Sequence, residues 1–440
     1  MGTMEIPKPG VASAGAKARF AWVAENLGSH IREYGGTFAT EFTVLASQLL
    51  AYKLAAHVFG KAGFAEYALV RRSVSLLVPI PVLGLGVGLS RFIGFCDGRG
   101  ESEVASRYYG AALKCAGGAA LLCFIVMNMA QKVFAYLFFG SRDYAYLALP
   151  SSLMVLGLCL HTVVCAYSRG HLQVNRANTL QIFNLAVVPI LGFFVFGRSL
   201  AGILTGVGLT WLVVSILGML LTPFGAIKES NVEQTKELLR YGIQRVPGDF
   251  MLTALFTLPG TFVAHISGIQ QAGFVAFGVT VVSTIGAAFA PVGLVLLPKA
   301  TSMLAGGARR ELREHVWEIL RATIIASAVF GAAIWIWIPT LIRLYLGPGY
   351  EPVVAIVRVL VLGALPYSVY LVVRNLVDAY HKDGVTTAVL AGGLAIFLCG
   401  SYFGQQVHAP LQATLVAFIL SLFTMAGFSG WECRRVLRDE

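Results

Sequence analysis

Long uncharged stretches recur along this chain, separated by short segments that collect most of the Lys, Arg, Asp and Glu. Residues 409–430 read APLQATLVAFILSLFTMAGFSG without one charge, and residues 111–130 (AALKCAGGAALLCFIVMNMA) carry only Lys114. A hydrocarbon core about 30 Å thick needs roughly 20 such residues in helical form. Counted against that length, the pattern predicts twelve spans, at 35–57, 65–94, 108–130, 147–168, 178–197, 200–221, 241–264, 270–297, 316–339, 353–377, 385–403 and 410–430. The second and eighth are long for a bilayer and must tilt or project beyond it. Ahead of the first span, Ala16 to Glu33 predicts an interfacial helix with Phe20, Trp22, Val23 and Leu27 on its apolar side. The segment GGARRELREHV (306–316) predicts a short surface helix leading into the ninth span.

Composition agrees with this pattern. Hydrophobic residues make up 57% of the chain and charged ones 12%, with a mean hydropathy of +0.74. Soluble domains carry about 25% charged residues, roughly twice as many. The fold class expected is an all-α polytopic membrane protein. The net charge of +11 is mostly a topology signal. With the N-terminus placed in the cytoplasm, the outside segments hold only Lys61, Lys132, Arg142, Arg198 and Arg343, and most other cations fall inside. That bias requires an even number of spans and two cytoplasmic termini. Anionic lipid headgroups are then the expected partner of the surface charge, and nucleic acid is not. The N-terminal residues lack the compact apolar core of a signal peptide.

The two halves share an ordered set of short matches. His57-Val-Phe-Gly60 followed by Ala62-Gly63-Phe64 returns as His265-Ile-Ser-Gly268 followed by Ala272-Gly273-Phe274, and Pro81 returns as Pro291. Tyr136-Leu-Phe-Phe-Gly140 parallels Tyr345-Leu-Gly347, and His171 parallels His381. Six spans per half is an even number, so the repeat is parallel, about an axis along the membrane normal. The division expected is an arm at 1–33, a six-helix lobe at 34–221, a linker at 222–240, a second six-helix lobe at 241–431 and a tail at 432–440, with a central cavity between the lobes.

No GxSxG, HExxH or phosphate-loop motif is present, and no loop is large enough for a catalytic domain. The seven cysteines form no CxxC pair. No catalytic residue, cofactor or metal site is therefore expected. Charges inside the spans are the informative residues, because burying one in hydrocarbon costs several kcal/mol unless it faces protein or water. Lys53, Arg71, Arg72 and Arg358 all fall in the outer half, where Glu66 is the accompanying acid. A water-filled cavity lined by them would attract phosphate or pyrophosphate. Snorkelling to the headgroups is the alternative for Lys53 and Arg358. Arg71 and Arg72 point about 100° apart, so at least one of them faces protein or water.

Glu41 and Asp249 occupy corresponding inner positions in the first helix of each half. They are candidates for cation coupling or gating, or else for local charge compensation, Asp249 with Arg245 and Asp378 with Arg374 at four-residue spacing. Pro247 and Pro259 predict two breaks in the seventh span. Pro81 and Pro291 interrupt the second and eighth spans, and all four are candidate hinges.

Twelve spans in two parallel lobes resemble the superfamily that unites multidrug and toxic-compound extruders with polysaccharide flippases. Gly63-Phe64-Ala65-Glu66-Tyr67-Ala68-Leu69, Leu85-Gly86-Val87-Gly88-Leu89-Ser90-Arg91-Phe92, Arg169-Gly170-His171, Leu297-Pro298-Lys299 and Leu346-Gly347-Pro348-Gly349-Tyr350 look closest to bacterial O-antigen and exopolysaccharide flippases. The resemblance implies movement of a polyprenyl-pyrophosphate-linked oligosaccharide across the inner membrane by alternating access. It also implies polysaccharide polymerase and chain-length proteins as partners. A cation-coupled exporter of drugs or metabolites from the same superfamily is the first alternative. A membrane-embedded glycosyltransferase or polymerase is the second.

Overall fold

The computed structural model describes residues 16–197, 199–222, 232–290, 292–293, 303, 309–380, 384–406 and 409–438, with the side chains of 16–34, 309 and 379 left aside. Pro291 and His381, and with them a hinge candidate and one of the repeat matches, lie outside the described residues. The helices are α1 (Ala16–Leu77), α2 (Pro79–Val82), α3 (Leu85–Gly98), α4 (Ser102–Met129), α5 (Gln131–Phe139), α6 (Ala148–Gly170), α7 (Val174–Gln181), α8 (Val188–Val195) and α9 (Leu200–Leu220). After them come α10 (Val232–Ile243), α11 (Val246–Ala287), α12 (Arg309–Tyr345), α13 (Glu351–Leu360), α14 (Ala364–Tyr380), α15 (Val385–Gly404) and α16 (Pro410–Val436). The protein is an all-helical, multi-pass membrane protein, as its hydropathy requires. Helices satisfy their own backbone groups, which lipid leaves without partners.

Two of these helices are doubled over. Gly60 in α1 has φ 64° and ψ −159°, and Gly268 in α11 has φ 80° and ψ 170°. In a straight helix, residues 52 and 67 would stand about 22 Å apart, yet the rings of Tyr52 and Tyr67 lie 5.2 Å centroid to centroid. Likewise, a Cβ at Gly260 would come within 3.4 Å of the Ala276 Cβ. Each long helix is thus a hairpin of two limbs, and counting the limbs separately gives twelve spans among the described residues. The repeated His-x-x-Gly of the two halves is this turn.

Both backbone conformations belong to the region that glycine alone adopts at little cost. A Cβ at either position meets nothing within 4 Å, so the demand is conformational rather than steric. Gly60→Ala and Gly268→Ala are each expected to cost about 1–3 kcal/mol, read as a lower thermal midpoint of the detergent-solubilised protein. Gly118→Ala, where an added methyl also meets nothing within 4 Å in a regular helix, should leave the midpoint unchanged.

The expectations placed on the prolines and on the surface helix meet different outcomes. Pro259 lies inside α11, whose one non-helical residue is Gly268, so the chain turns nine residues after the proline rather than at it. A break does fall beside Pro247, because α10 ends at Ile243 and α11 starts at Val246, and in the first turn of α11 the missing N–H has no helical partner to lose. The second span breaks just after Pro81, where Leu83 (φ 54°) and Gly84 (φ 68°) turn the chain between α2 and α3. The described part of the surface helix expected at 306–316, from Arg309 on, leads into the ninth span as expected, as the first part of α12, continuous through Tyr345.

The apolar core shows how the lobes meet. We call the side of the Gly60 and Gly268 turns the hairpin face and the side where α16 ends the terminal face. Near the hairpin face one continuous cluster joins both lobes, from Ala51 and Phe64 through Trp211 to Phe274, Tyr350 and Phe418. Toward the terminal face there are two separate clusters. One lies within the first lobe around Leu89, Tyr109, Val163 and Leu238. The other lies within the second around Leu312, Leu376 and Cys433. Among the described residues, the apolar core joins the lobes on one face and not on the other. Helix α10, which starts in the sequence expected as linker and runs three residues past it, docks on the first lobe. Leu238 is buried there, and the Tyr108 hydroxyl donates to the Glu237 carboxylate.

Candidate functional site

A small polar cleft lies between the lobes, just below the fused region. Gln48 and Tyr52 enter it from the first limb of α1, Arg71, Arg72 and Ser75 from the second limb, and Thr280 and Ser283 from the second limb of α11. It encloses about 60 Å³. Among the described residues no carboxylate lines it, and both charged groups are guanidinium ions.

Arg72 ties the lobes together. Its Nη2 donates to Thr280 Oγ1 at 2.7 Å, while its carbonyl accepts from Thr257 Oγ1 at 3.1 Å. Thr280 Oγ1 donates its one proton to the Ala276 carbonyl at 2.9 Å. Its lone pairs are therefore left for Arg72 and for the Tyr52 hydroxyl at 3.3 Å. Arg72 Nε is buried with no hydrogen-bond partner. A buried donor on a charged group without an acceptor is costly, and an anion at this point would relieve the cost. The Arg71 guanidinium carbon lies 6.0 Å from the Trp211 ring centroid, and Ser75 Oγ donates to the Arg71 carbonyl at 2.9 Å.

Aromatic side chains close the path from the cleft to the hairpin face. Phe64 packs on Tyr52 at 5.8 Å, on Phe277 at 5.6 Å, on Tyr350 at 5.6 Å and on Phe274 at 6.3 Å. The Tyr345 hydroxyl donates to the Leu49 carbonyl, and the Tyr350 hydroxyl donates to the Ala56 carbonyl at 3.3 Å. Gly273 and Ala65 meet across the seam, where any side chain at 273 would overlap the Ala65 backbone. Phe64 and Phe274 are both 0% exposed, so this face is sealed.

The other candidate residues lie elsewhere. Lys53 is partly exposed and does not line the cleft, and its carbonyl accepts from His57 Nδ1 at 3.0 Å. Arg358 also stays out of the cleft. Its guanidinium lies 4.8 Å over the Trp335 ring and its Nε donates to the Trp335 carbonyl at 3.4 Å, so the expected grouping with Arg71 and Arg72 does not form. Trp335 is itself on the exposed side of α12, where a long cation over an aromatic ring sits comfortably at a lipid surface.

Glu41 joins a polar strip inside the first lobe. Gln181 Nε2 donates to Glu41 Oε1 at 2.7 Å, and Gln181 Oε1 accepts from Arg169 at 2.6 Å. Next to it the π-helical turn Ile182–Val187 frees backbone carbonyls. Ser47 Oγ donates to the Ala186 carbonyl at 2.6 Å, and Trp211 Nε1 donates to that of Asn184. Asp249 is exposed near the start of α11 and makes no ion pair with Arg245, which reaches back to the Tyr241 hydroxyl at 3.5 Å. Arg374 likewise lies by the Tyr370 ring at 5.9 Å, and Asp378 accepts from Thr386 instead.

Sequence reasoning missed the uncharged half of the cleft. Its signal was present, because Gln48 and Tyr52, Arg71 and Ser75, and Thr280 and Ser283 stand three or four residues apart, on one face of a helix.

No family model and no curated relative matches the chain. Solved structures do. A multidrug resistance MATE family transporter of the MOP superfamily in its inward-facing conformation is 14% identical, with 90% of this chain and 94% of that one covered, at a TM-score of 0.76. An outward-facing structure of such a transporter is also 14% identical, covering 91% and 94%, at 0.62. A MOP superfamily transporter from Pyrococcus furiosus, described as having a binding pocket of reverse polarity that suggests a different function, is 14% identical over 91% and 95%, at 0.65. The chain therefore has the fold of the MATE transporters of the MOP superfamily.

Proposed function

We propose that this protein is an alternating-access transporter that moves a polyprenyl-pyrophosphate-linked oligosaccharide from the cytoplasmic to the outer leaflet of a bacterial inner membrane. The observation that carries the reading is the cleft: among the described residues it holds two arginines and no carboxylate, and it lies between lobes whose core is joined only toward the hairpin face. A cavity for cationic drugs would place acids where this one places guanidinium groups. In this reading the terminal face is cytoplasmic, and the sugar-pyrophosphate head enters there while the lipid tail stays in the bilayer. Arg71 and Arg72 hold the diphosphate, and the lobes then rock until the aromatic seal parts. Glu41, held by Gln181, is the residue we assign to coupling in the first lobe. The fold's occurrence among multidrug transporters favours a second reading, a cation-coupled exporter.

Mass spectrometry of lipid extracts separates the two. Deleting the gene should make polyprenyl-pyrophosphate oligosaccharide accumulate and surface polysaccharide disappear. An unchanged lipid pool with an intact surface glycan would remove the flippase reading and leave the exporter.

A further inference from the structure

A second basic pocket lies on the terminal face of the second lobe, far from the cleft in the fold. It opens between the first turns of α12 and the last turns of α16 and encloses about 240 Å³. Arg313, Arg434 and Arg438 line it, with Trp317 and Leu437. The pocket rests on the lobe's own core, in which Leu312, Val316 and Leu320 pack with Cys433 and Leu437.

Three observations distinguish this corner from an ordinary charged helix end. First, the acids beside these arginines in sequence are engaged by other arginines, Glu314 with Arg310 at 3.7 Å and Glu432 with Arg435 at 3.8 Å. Among the described residues, none of the three pocket arginines has a carboxylate within 4.0 Å. Second, the Arg434 guanidinium carbon lies 5.4 Å from the Trp317 ring centroid. Stacking against an indole restrains the fork and lowers the cost of aiming it. Third, the walls combine guanidinium groups that have no carboxylate partner among the described residues with an apolar floor. That combination suits a ligand that is anionic at one end and greasy at the other. Trp and Arg at the end of a transmembrane helix also place the pocket at headgroup depth.

We infer that this pocket binds a phosphate ester, held by Arg313, Arg434 and Arg438 with Trp317 as its side wall. The shared chemistry is a phosphate with at least one full negative charge, met by planar donors in pairs. A bilayer phospholipid would bring its headgroup in from the membrane edge and lay its glycerol against Leu437. A soluble phosphate compound would enter from the aqueous side. The site is independent of the flippase reading and shares no residue with the cleft.

The test uses the full chain in detergent and in nanodiscs of phosphatidylcholine containing either phosphatidylglycerol or cardiolipin. Native mass spectrometry counts the lipids retained after delipidation. Titration with inorganic pyrophosphate in detergent provides the soluble arm. Each single Arg→Ala change at 313, 434 or 438 is expected to weaken retention of the anionic lipid about fivefold, and the triple change about a hundredfold. R313K/R434K/R438K keeps the charge but loses the paired donors, and should fall between wild type and the triple alanine variant. A control triple, R99A/R107A/R176A, removes cations from the same face without touching the pocket. Pyrophosphate binding with the same arginine dependence, and no lipid retention, would support the phosphate site and assign it to a soluble ligand. Equal loss in the control triple would overturn the proposal, because the effect would then be generic surface charge. So would wild-type retention in the triple alanine variant with its thermal midpoint unchanged.

Discussion

Replacing Arg72 with alanine is expected to reduce transport to the background of a deletion strain, with the protein still present in the membrane at its normal level. Arg72 does two things at once. Its Nη2 bridges to Thr280 across the seam, and its Nε is buried without an acceptor at the cleft. Hydrogen bonds to a charged group contribute about 1.5–3 kcal/mol each, so losing one is worth roughly 10- to 150-fold in rate. Losing the bridge and the anion contact together should remove all measurable activity. Two further variants separate these roles. Thr280→Val removes the bridge and keeps the cation, so transport should fall by only one such factor. Arg72→Lys keeps the charge but offers no fork that serves Thr280 and an anion together. Its activity should lie nearer to that of the alanine variant than to wild type. Surface polysaccharide and the lipid-linked pool provide the readout. Wild-type activity in Arg72→Ala would remove Arg72 from the site altogether.

The second large effect is expected at Gly273, where the hairpin limbs of the two lobes meet. A Cβ there falls 2.3 Å from Ala65 Cα and 2.4 Å from Ala65 Cβ. Backbone on the far side leaves no flexible side chain to give way. Gly273→Val therefore forces the lobes apart at the sealed face. Overpacking of this kind costs about 1–3 kcal/mol, which shifts a two-state equilibrium about 5- to 150-fold. The shift disfavours the arrangement described here and favours one open on the hairpin face. Transport should fall because the cycle needs both states. A reporter cysteine at Ser283, in a variant without the seven native cysteines, should then react faster with an impermeant maleimide added from that side. Unchanged labelling together with unchanged transport would mean that the seal yields locally and does not set the equilibrium.

These expectations draw on the sequence to different degrees. The span pattern was legible because each span needs only length and apolarity, which are local. The turn at Gly60 and Gly268 was legible as a repeated motif, although the sequence showed a match and not a hairpin. Pro81 and Pro247 stand beside the breaks expected of them, and Pro259 does not. Pro259 stays within a helix because neighbouring limbs pack around it, with Gly260 close to Leu69 and Ala276. The adjacent pair Arg71-Arg72 pointed to the cleft on geometric grounds, since two directions 100° apart are hard to give to lipid together.

The sequence by itself determined the class of the protein, its helices, the pairing of its two halves and the scarcity of buried acids. Only the tertiary structure decided which way each helix faces. A soluble helix reveals its buried face by contrast with its polar one, but a span surrounded by lipid on one side and protein on the other is apolar all round. For that reason Arg358 and Arg72 look alike in sequence, both single cations in an apolar stretch. One lies over Trp335 at the exposed surface and the other bridges two lobes at a closed seam. The rotation of a helix about its own axis is set by its neighbours, and those neighbours are more than two hundred residues away along the chain for the contact that joins Arg72 to Thr280.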